Sequence, residues 1–442
     1  MSVEVIVHRG TSEIGGNCIE IRTSSTRIIL DVGQPLFKPN REPYDRWETR
    51  GKTKEELLAF GYIPSVPGLF TPGLNVDAIL LSHAHPDHTG LLPYTPDEIP
   101  VYASRGTSKM MLASSVFAAQ VKLPRERHVE VIPGMPFQIG EMTVTGYDVD
   151  HSIFGCLAYR VEVDGKAILY TGDLRHHGRK PGMMNKLIEA CREKQLDLII
   201  VEGTNIEADD DSNVTEYELE EQITKQIADA ATLVFACFSP LHVDRLVSFY
   251  KAARRNGRVF VADVYTAFVF YLLQRDAHLP SVEPSSGIRV YYPDNFLTSR
   301  PNKLKETLAK EFLHARIDLD EIFTEPQKYV MMFRPSMMSN EWGKHILDRV
   351  VCLHSRWAGY LDENDWAEFR HRYIDMFDDE PEKVGKLLTL HTSGHIVRKD
   401  LISLLGSINA KAVLPIHTFG GEVFSNCVDN VLCVKDGQTL LT

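Results

Sequence analysis

Short apolar runs alternate with polar positions through the first two hundred residues. Val3–Val7, Thr26–Asp31, Ala78–Ser82, Met142–Asp148, Ala158–Val163 and Ala167–Thr171 each read as a strand, and the turn Asp164-Gly165 links the last two. Runs of this kind, broken by turns, predict mixed or antiparallel sheet. Tyr44–Pro72 is polar and rich in proline and glycine, and reads as a long surface excursion. Helical periodicity is clear at Gly182–Glu193.

From about Thr215 to Met376 the pattern changes. The helix-like segments Glu216–Ala230, Leu241–Asn256, Tyr265–Ala277, Asn302–His314 and Trp366–Met376 alternate with short apolar strands. Those strands are Leu233–Cys237, Val259–Ala262, Arg289–Tyr292, Tyr329–Phe333 and Val350–Leu353. Strictly alternating strands and helices imply a parallel, doubly wound sheet. After Lys383 come a strand, a helix at Arg398–Leu405, the strand Ala412–Ile416 and a closing hairpin about Asp436-Gly437. The expected organisation is a first domain over 1–212, an inserted α/β domain over 213–383, and a return to the first domain over 384–442.

Composition narrows the class. The chain has 442 residues, 43% hydrophobic and 24% charged, enough for more than one sizeable core. No apolar run approaches the eighteen or so residues a spanning helix needs, and MSVEVIVHRG lacks a signal-peptide pattern, so the expected location is cytoplasmic. The seven cysteines are scattered without a CxxC pair, which argues for idle or buried thiols rather than a zinc ribbon or disulfide framework. A formal net charge of −12 argues against a broad, sequence-blind grip on a polyanion. It leaves room for a local basic groove, for which Arg175–Lys180, Lys122–Arg127 and Arg254-Arg255 with Arg258 are the candidates.

The chemistry concentrates after one strand. Ala78–Ser82 is apolar and ends directly at His83, and His83, His85, Asp87 and His88 crowd four ligand-type side chains into six positions. On a loop leaving a strand end, residues two apart can converge on one ion while Asp87 and His88 face a second. Neutral imidazoles and a carboxylate suit zinc or manganese.

His83-Ala84-His85-Pro86-Asp87-His88 resembles the HxHxDH signature of the metallo-β-lactamase superfamily. The rest of that pattern follows in order: Asp31 in Leu30-Asp31-Val32-Gly33, His151 in Asp150-His151-Ser152, and Asp173 in Thr171-Gly172-Asp173. Three further motifs are similar to motifs A, B and C of the β-CASP nucleases, the branch containing ribonuclease J. They are Glu202-Gly203-Thr204, Ser393-Gly394-His395 and the strand-end His417 in Pro415-Ile416-His417-Thr418. The stretch from Thr171 to Lys180 also resembles the short ribonuclease J-like proteins. Ile396 stands where the family usually has alanine, and motif C continues Thr418-Phe419-Gly420-Gly421-Glu422. The sequence stops soon after motif C, so the resemblance leads to the expectation that the extra C-terminal domain of full-length ribonuclease J is missing.

The resemblance covers almost the whole chain. It implies a metallo-β-lactamase αββα sandwich, an α/β fold, with an inserted doubly wound β-CASP domain. It also implies a ligand arrangement: His83, His85 and His151 on one divalent ion, Asp87, His88 and His417 on the other, and Asp173 bridging, with Asp31 orienting ligands from behind. Two zinc ions (or manganese) about 3.5–4 Å apart would share a hydroxide that attacks a phosphodiester, with Asp87 beside it. Ribose oxygens leave badly, and His395, held protonated by Glu202, suits the general acid. His391 and Ser393, ahead of the helix containing Arg398, are candidates to seat a substrate phosphate.

The implied activity is a ribonuclease cutting single-stranded RNA, endonucleolytically or from the 5′ end, as a homodimer or with a delivery partner. A DNA nuclease of the same branch is the nearest alternative, because 2′-hydroxyl recognition depends on pocket shape. A small-molecule hydrolase such as a lactonase or thioesterase needs no second domain. An inactive scaffold subunit would normally have lost ligands, and here all seven are present.

Overall fold

The computed structural model describes residues 2–208, 213–293, 303–338, 350–362 and 386–442, with residues 296, 342, 366, 367 and 369. The chain divides into two units, Met1–Asn213 with Gly394–Thr442, and Val214–Ser393.

Two sheets build the first unit. One runs in the order Thr439–Leu441, Glu4–Arg9, Cys18–Arg22, Arg27–Leu30, Ala78–Leu80, Val101–Ser104, His128–Val131. Its first three pairings are antiparallel and its last three parallel. The other runs Val413–Ile416, Leu198–Glu202, Lys166–Tyr170, Leu157–Val163, Met142–Asp148, Phe137–Ile139, parallel in its first two pairings and antiparallel after that. Alternate residues of each sheet point at the other. Val5, Ile19, Ile28, Leu30 and Leu80 meet Val144, Tyr159, Ile168, Ile200 and Leu414 in one fully buried core. Helix Arg105–Phe117 packs on the first sheet, and Pro181–Arg192, beside Arg398–Ile408, on the second. The layers are therefore helix, sheet, sheet, helix.

The second unit holds a seven-stranded sheet, parallel throughout. Its order is Arg316–Ile317, Ile288–Tyr291, Val259–Asp263, Tyr329–Met332, Val234–Cys237, Val351–His354, Lys386–Thr389. Its helices start at residues built to start them. Thr215 and Glu218 form a reciprocal capping box for Glu216–Asp229, and the Asp263 carboxylate accepts from Thr266 N–H at the head of Val264–Leu273.

Several expectations need adjusting. The strand after Lys383 pairs parallel with Val351–His354, so the chain returns to the first unit at Gly394 rather than at 384. The closing segment forms no hairpin about Asp436-Gly437, because Thr439–Leu441 pairs across the molecule with Glu4–Ile6. Residues 44–72 are more than a surface excursion: Leu57, Ile63, Val66, Leu69 and Phe70 are buried, and Arg9 donates to the Tyr62 carbonyl at 2.7 Å. Helix Arg105–Phe117 was not expected. Of the helix expected over Trp366–Met376, all but residues 366, 367 and 369 lie outside the described residues, as do the boundary residues 212 and 383. Two proposed basic patches each lose one cation to the interior. Arg127 donates to the Ile99 carbonyl and the Thr95 hydroxyl, and Arg258 to the carbonyls of Thr232 and Ala230. All seven cysteines are free thiols, five of them buried. Among the described residues no helix is long and apolar enough to cross a membrane.

Glu20 is the polar strut of the first sheet. Buried at 1% exposure, it takes Arg27 Nε at 2.9 Å and His8 Nε2 at 2.9 Å, while Arg27 reaches on to the Leu74 and Pro67 carbonyls. Burial alone would raise the Glu20 carboxyl, but its hydrogen bonds to His8 and Arg27 overturn that and bring it down to about 2. A depressed folded-state pKa means the contribution is fully present above about 4.5 and is lost as pH falls through about 2. Glu20→Gln should therefore cost about 1.5–3 kcal/mol at pH 7 in denaturant unfolding. The gap to the wild type should narrow steadily below pH 4.5, and a pH-independent gap would assign the loss to packing.

Candidate metal centre

The site forms where strands of both sheets end. Ala78–Leu80 runs out through Leu81-Ser82 to His83, and His85 then caps the short helix Pro86–Thr89, with Pro86 at its first position. That single turn carries Asp87 and His88. Lys166–Tyr170 ends three residues before Asp173. Leu198–Glu202 ends at Glu202, which pairs in register with Ile416, so His417 emerges beside it. His151 follows Met142–Asp148 after a two-residue step.

Backbone strain marks the convergence. Asp31 and His417 adopt left-handed φ values of 60° and 52°, unusual for residues with side chains. Gly33 lies so close to the Asp87 carbonyl that a Cβ would come within 1.7 Å of it.

Nine side chains gather in the first unit. His83, His85, His151 and Asp173 form one group able to hold an ion, Asp87, His88, His417 and Asp173 a second, and Glu202, His395, His417 and Asp173 a third. In the first group His83 Nε2 and His151 Nε2 stand 3.0 and 3.2 Å from His85 Nδ1. In the second, His417 Nε2 is 3.3 Å from Asp87 Oδ2, and His88 Nε2 is 3.2 Å from Asp173 Oδ2.

The donor set fits a divalent cation. Both Asp173 oxygens and His88 Nε2 are fully buried and, among the described residues, have no hydrogen bond of acceptable geometry, a costly arrangement unless a cation completes it. Burial, reinforced by neighbouring imidazoles, lowers His83 and His151 and brings His85 down to about 4, so these rings are neutral, the form a metal takes. Burial would also lower His88, but the carboxylates of Asp173 and Asp31 raise it. Burial would raise Asp173 and Asp87; the surrounding imidazoles keep both carboxylates ionised, Asp87 at about 2.

A second ring of contacts fixes these side chains. Asp31 accepts from Ser82 N–H at 2.7 Å, the Ser82 hydroxyl at 2.6 Å, the Tyr170 hydroxyl at 2.5 Å and His88 Nδ1 at 2.7 Å. His88 is thus held by Nδ1, with Nε2 toward Asp173. His151 Nδ1 donates 2.6 Å to the Gly394 carbonyl, which ties the motif around His395 to a side chain of the first group, 243 positions away.

Glu202 is fully buried and accepts from Leu174 N–H at 3.0 Å and the Thr204 hydroxyl at 2.7 Å. Its oxygens lie 3.1 and 3.2 Å from His395 Nδ1. Burial would lower His395, whose side chain is 23% exposed, but Glu202 and Asp173 raise it to about 9.

His391 and Ser393 lie in the second unit. Burial and the Arg245 guanidinium push His391 down to about 3, so it would meet a phosphate as a neutral donor. Ser393 does not cap the helix that follows: the cap is Val397, which offers no side-chain bond and leaves the first N–H groups to other acceptors. Arg175, proposed as part of a basic patch, is fully buried and paired with Asp150 at 3.2 Å.

The sequence offered no reason to single out Ser82, Tyr170 or Thr204. Each sits one to three positions from a motif residue, and only the hydrogen bonds reveal it.

Comparisons with known proteins agree with this geometry. Residues 65–236 match the beta-lactamase superfamily domain. The chain carries a metallo-β-lactamase fold domain. It is 25% identical over 273 residues to an RNase J-like protein of Methanocaldococcus jannaschii, covering 59% of this chain and 57% of that one. It is 26% identical over 426 residues to a ribonuclease J of Corynebacterium glutamicum, covering 92% of this chain and 52% of that one. The chain thus spans little more than half the length of these relatives. A crystal structure of an Enterococcus faecalis protein of unknown function superposes over the full length of both chains with a TM-score of 0.76 at 21% identity, which extends the fold likeness through the second unit.

The fit of the donor set carries an expectation. Purified protein should hold close to two divalent ions per chain by elemental analysis, and Asp173→Ala, which removes the carboxylate shared by every group, should lose most of the second. Wild-type protein that stays metal-free after incubation with zinc or manganese would contradict it.

Proposed function

We propose that the chain is a metal-dependent phosphodiesterase acting on single-stranded RNA, with His83, His85, His151 and Asp173 as one ion's ligands and Asp87, His88, His417 and Asp173 as the other's. The observation that carries this is the Asp173 carboxylate, buried without hydrogen bonds between two imidazole groups and 3.7 Å from a raised histidine. Ions held there would supply Lewis acidity to a phosphodiester and to the water that attacks it. RNA as the substrate class is supported by the names of the relatives.

The chain's own residues divide the remaining work. Asp31 turns His88, and Gly394 turns His151, toward the centre. Glu202 holds His395 by Nδ1, and its charge keeps that ring protonated. His395 then has a proton to give to the departing ribose oxygen. His391 and Ser393 are proposed to seat a substrate phosphate.

A second arrangement is favoured by one observation: Glu202, His395, His417 and Asp173 also come close enough to hold an ion. Leaving-group dependence separates an acid from a ligand. Removing a general acid should slow RNA cleavage by roughly a hundred- to ten-thousandfold. A nitrophenyl phosphodiester releases a group that departs without protonation. His395→Ala should keep most of its activity on the nitrophenyl ester while nearly losing RNA cleavage, and Glu202→Gln should show the same selectivity more weakly. Asp173→Ala should lose both together. Equal losses in His395→Ala would make His395 a ligand or a structural residue. Matching DNA, cleaved as fast as RNA by the wild type, would correct the substrate class.

A further inference from the structure

Thr204 stands where the proposed acid and the proposed metal ligands meet. Its hydroxyl oxygen lies 2.7 Å from Glu202 Oε2, 2.9 Å from His417 Nδ1 and 3.2 Å from His395 Nδ1. Its backbone N–H lies 3.3 Å from the same carboxylate oxygen, so the residue is held from two sides.

A hydroxyl has one proton and two lone pairs. The Glu202 carboxylate can only accept, and it is the nearest partner, so the hydroxyl proton points there. The oxygen is left as an acceptor toward both imidazoles. His417 must then present Nδ1–H to Thr204. Its other nitrogen, Nε2, faces Asp87 Oδ2 at 3.3 Å and Asp173 Oδ2 at 3.8 Å.

Without this contact the ring would answer to Asp87 and Asp173 alone. Both are acceptors, and would favour a proton on Nε2, the nitrogen an ion needs bare. His417 also has a left-handed backbone, with φ of 52°, a conformation uncommon outside glycine though more open to histidine than to most residues. Its N–H is fixed to the Gly10 carbonyl at 2.7 Å, so the backbone is anchored and the imidazole needs an anchor of its own.

We propose that Thr204 is a positioning residue that holds His417 by Nδ1, turning Nε2 toward Asp87 and Asp173, and that Glu202 enforces this by accepting the Thr204 hydroxyl's hydrogen bond. One carboxylate then orients both the ring proposed as acid and a ring proposed as ligand. The proposal rests on the metal-centre reading given above but not on the identity of the substrate.

Zinc affinity, read by chelator competition on the full chain, tests it. Partners behind a ligand typically change metal affinity ten- to a hundredfold. Thr204→Val removes the hydroxyl and keeps the shape, and should weaken the second zinc by that factor. Thr204→Ser restores the hydroxyl and should bind within about threefold of the wild type, which a role in packing alone would not give. Wild-type affinity in Thr204→Val, or equal weakening in both variants, would overturn the proposal. A measurement on the wild type guards against a variant that fails to fold. Nitrogen-15 NMR of histidine-labelled, metal-free protein, with the His417 signal assigned by its loss in His417→Gln, should show a proton on Nδ1, and a bare Nδ1 would overturn the proposal. Protein that binds zinc as expected and cleaves no RNA would sink the ribonuclease reading and leave Thr204's role standing.

Discussion

Asp173 is 1% exposed and, among the described residues, has five imidazoles within 4 Å of one oxygen and no hydrogen bond to either. A buried ionised carboxylate without partners is among the costliest groups a protein can contain. The first unit is organised to tolerate it. Neutral rings from His83, His85 and His151 pack around it together with the raised rings of His88 and His395, which supply compensating charge. The same arrangement that makes the carboxylate tolerable makes the site receptive to cations.

Sheet pairing explains how distant segments arrive together. Leu198–Glu202 and Val413–Ile416 are parallel neighbours, and the pair Glu202 and Ile416 sets His417 one residue beyond. The second unit is inserted between those two strands in sequence, yet their register depends only on hydrogen bonds within the first unit. An insertion there is tolerated because the strand after it is buried on both faces and has one place to pair. The return carries Gly394, whose carbonyl orients His151, and His395, which meets Glu202. The insertion point and the site are therefore one feature of the topology.

Much of this was legible in the chain, for identifiable reasons. Side chains that leave a strand end within six positions cannot be scattered by the fold, so His83, His85, Asp87 and His88 stood out as candidates. The parallel sheet of the second unit followed from strict strand–helix alternation. Helix Arg105–Phe117 was missed because its buried face is made of Gly106, Thr107, Ala113 and Ser114 as much as of Met110, Met111 and Val116, which blurs the apolar period. The closing strand was misassigned because a turn at Asp436-Gly437 says that the chain reverses, not which strand it reverses onto. Thr204 and Tyr170 were invisible for a further reason. A hydroxyl within a motif carries no signal until its three-dimensional neighbours are known.

Charge raises a last question, since a formal net charge of −12 sits poorly with a phosphate substrate. Three of the arginines that made the proposed basic patches plausible, Arg127, Arg175 and Arg258, are internal struts engaged with carbonyls, a hydroxyl or Asp150. They offer little to a polyanion. Exposed acids more than about 8 Å from the centre are largely screened at physiological salt, so bulk charge does not decide the matter. The attraction then has to be local. Two divalent ions at Asp173 would place four positive charges, partly offset by the Asp87 and Asp173 carboxylates, where the proposed phosphodiester would sit, in a setting too buried for salt to screen them well. Affinity concentrated in ions rather than spread over a basic surface would suit a substrate that offers one accessible phosphate at a time, which is consistent with the single strand proposed above.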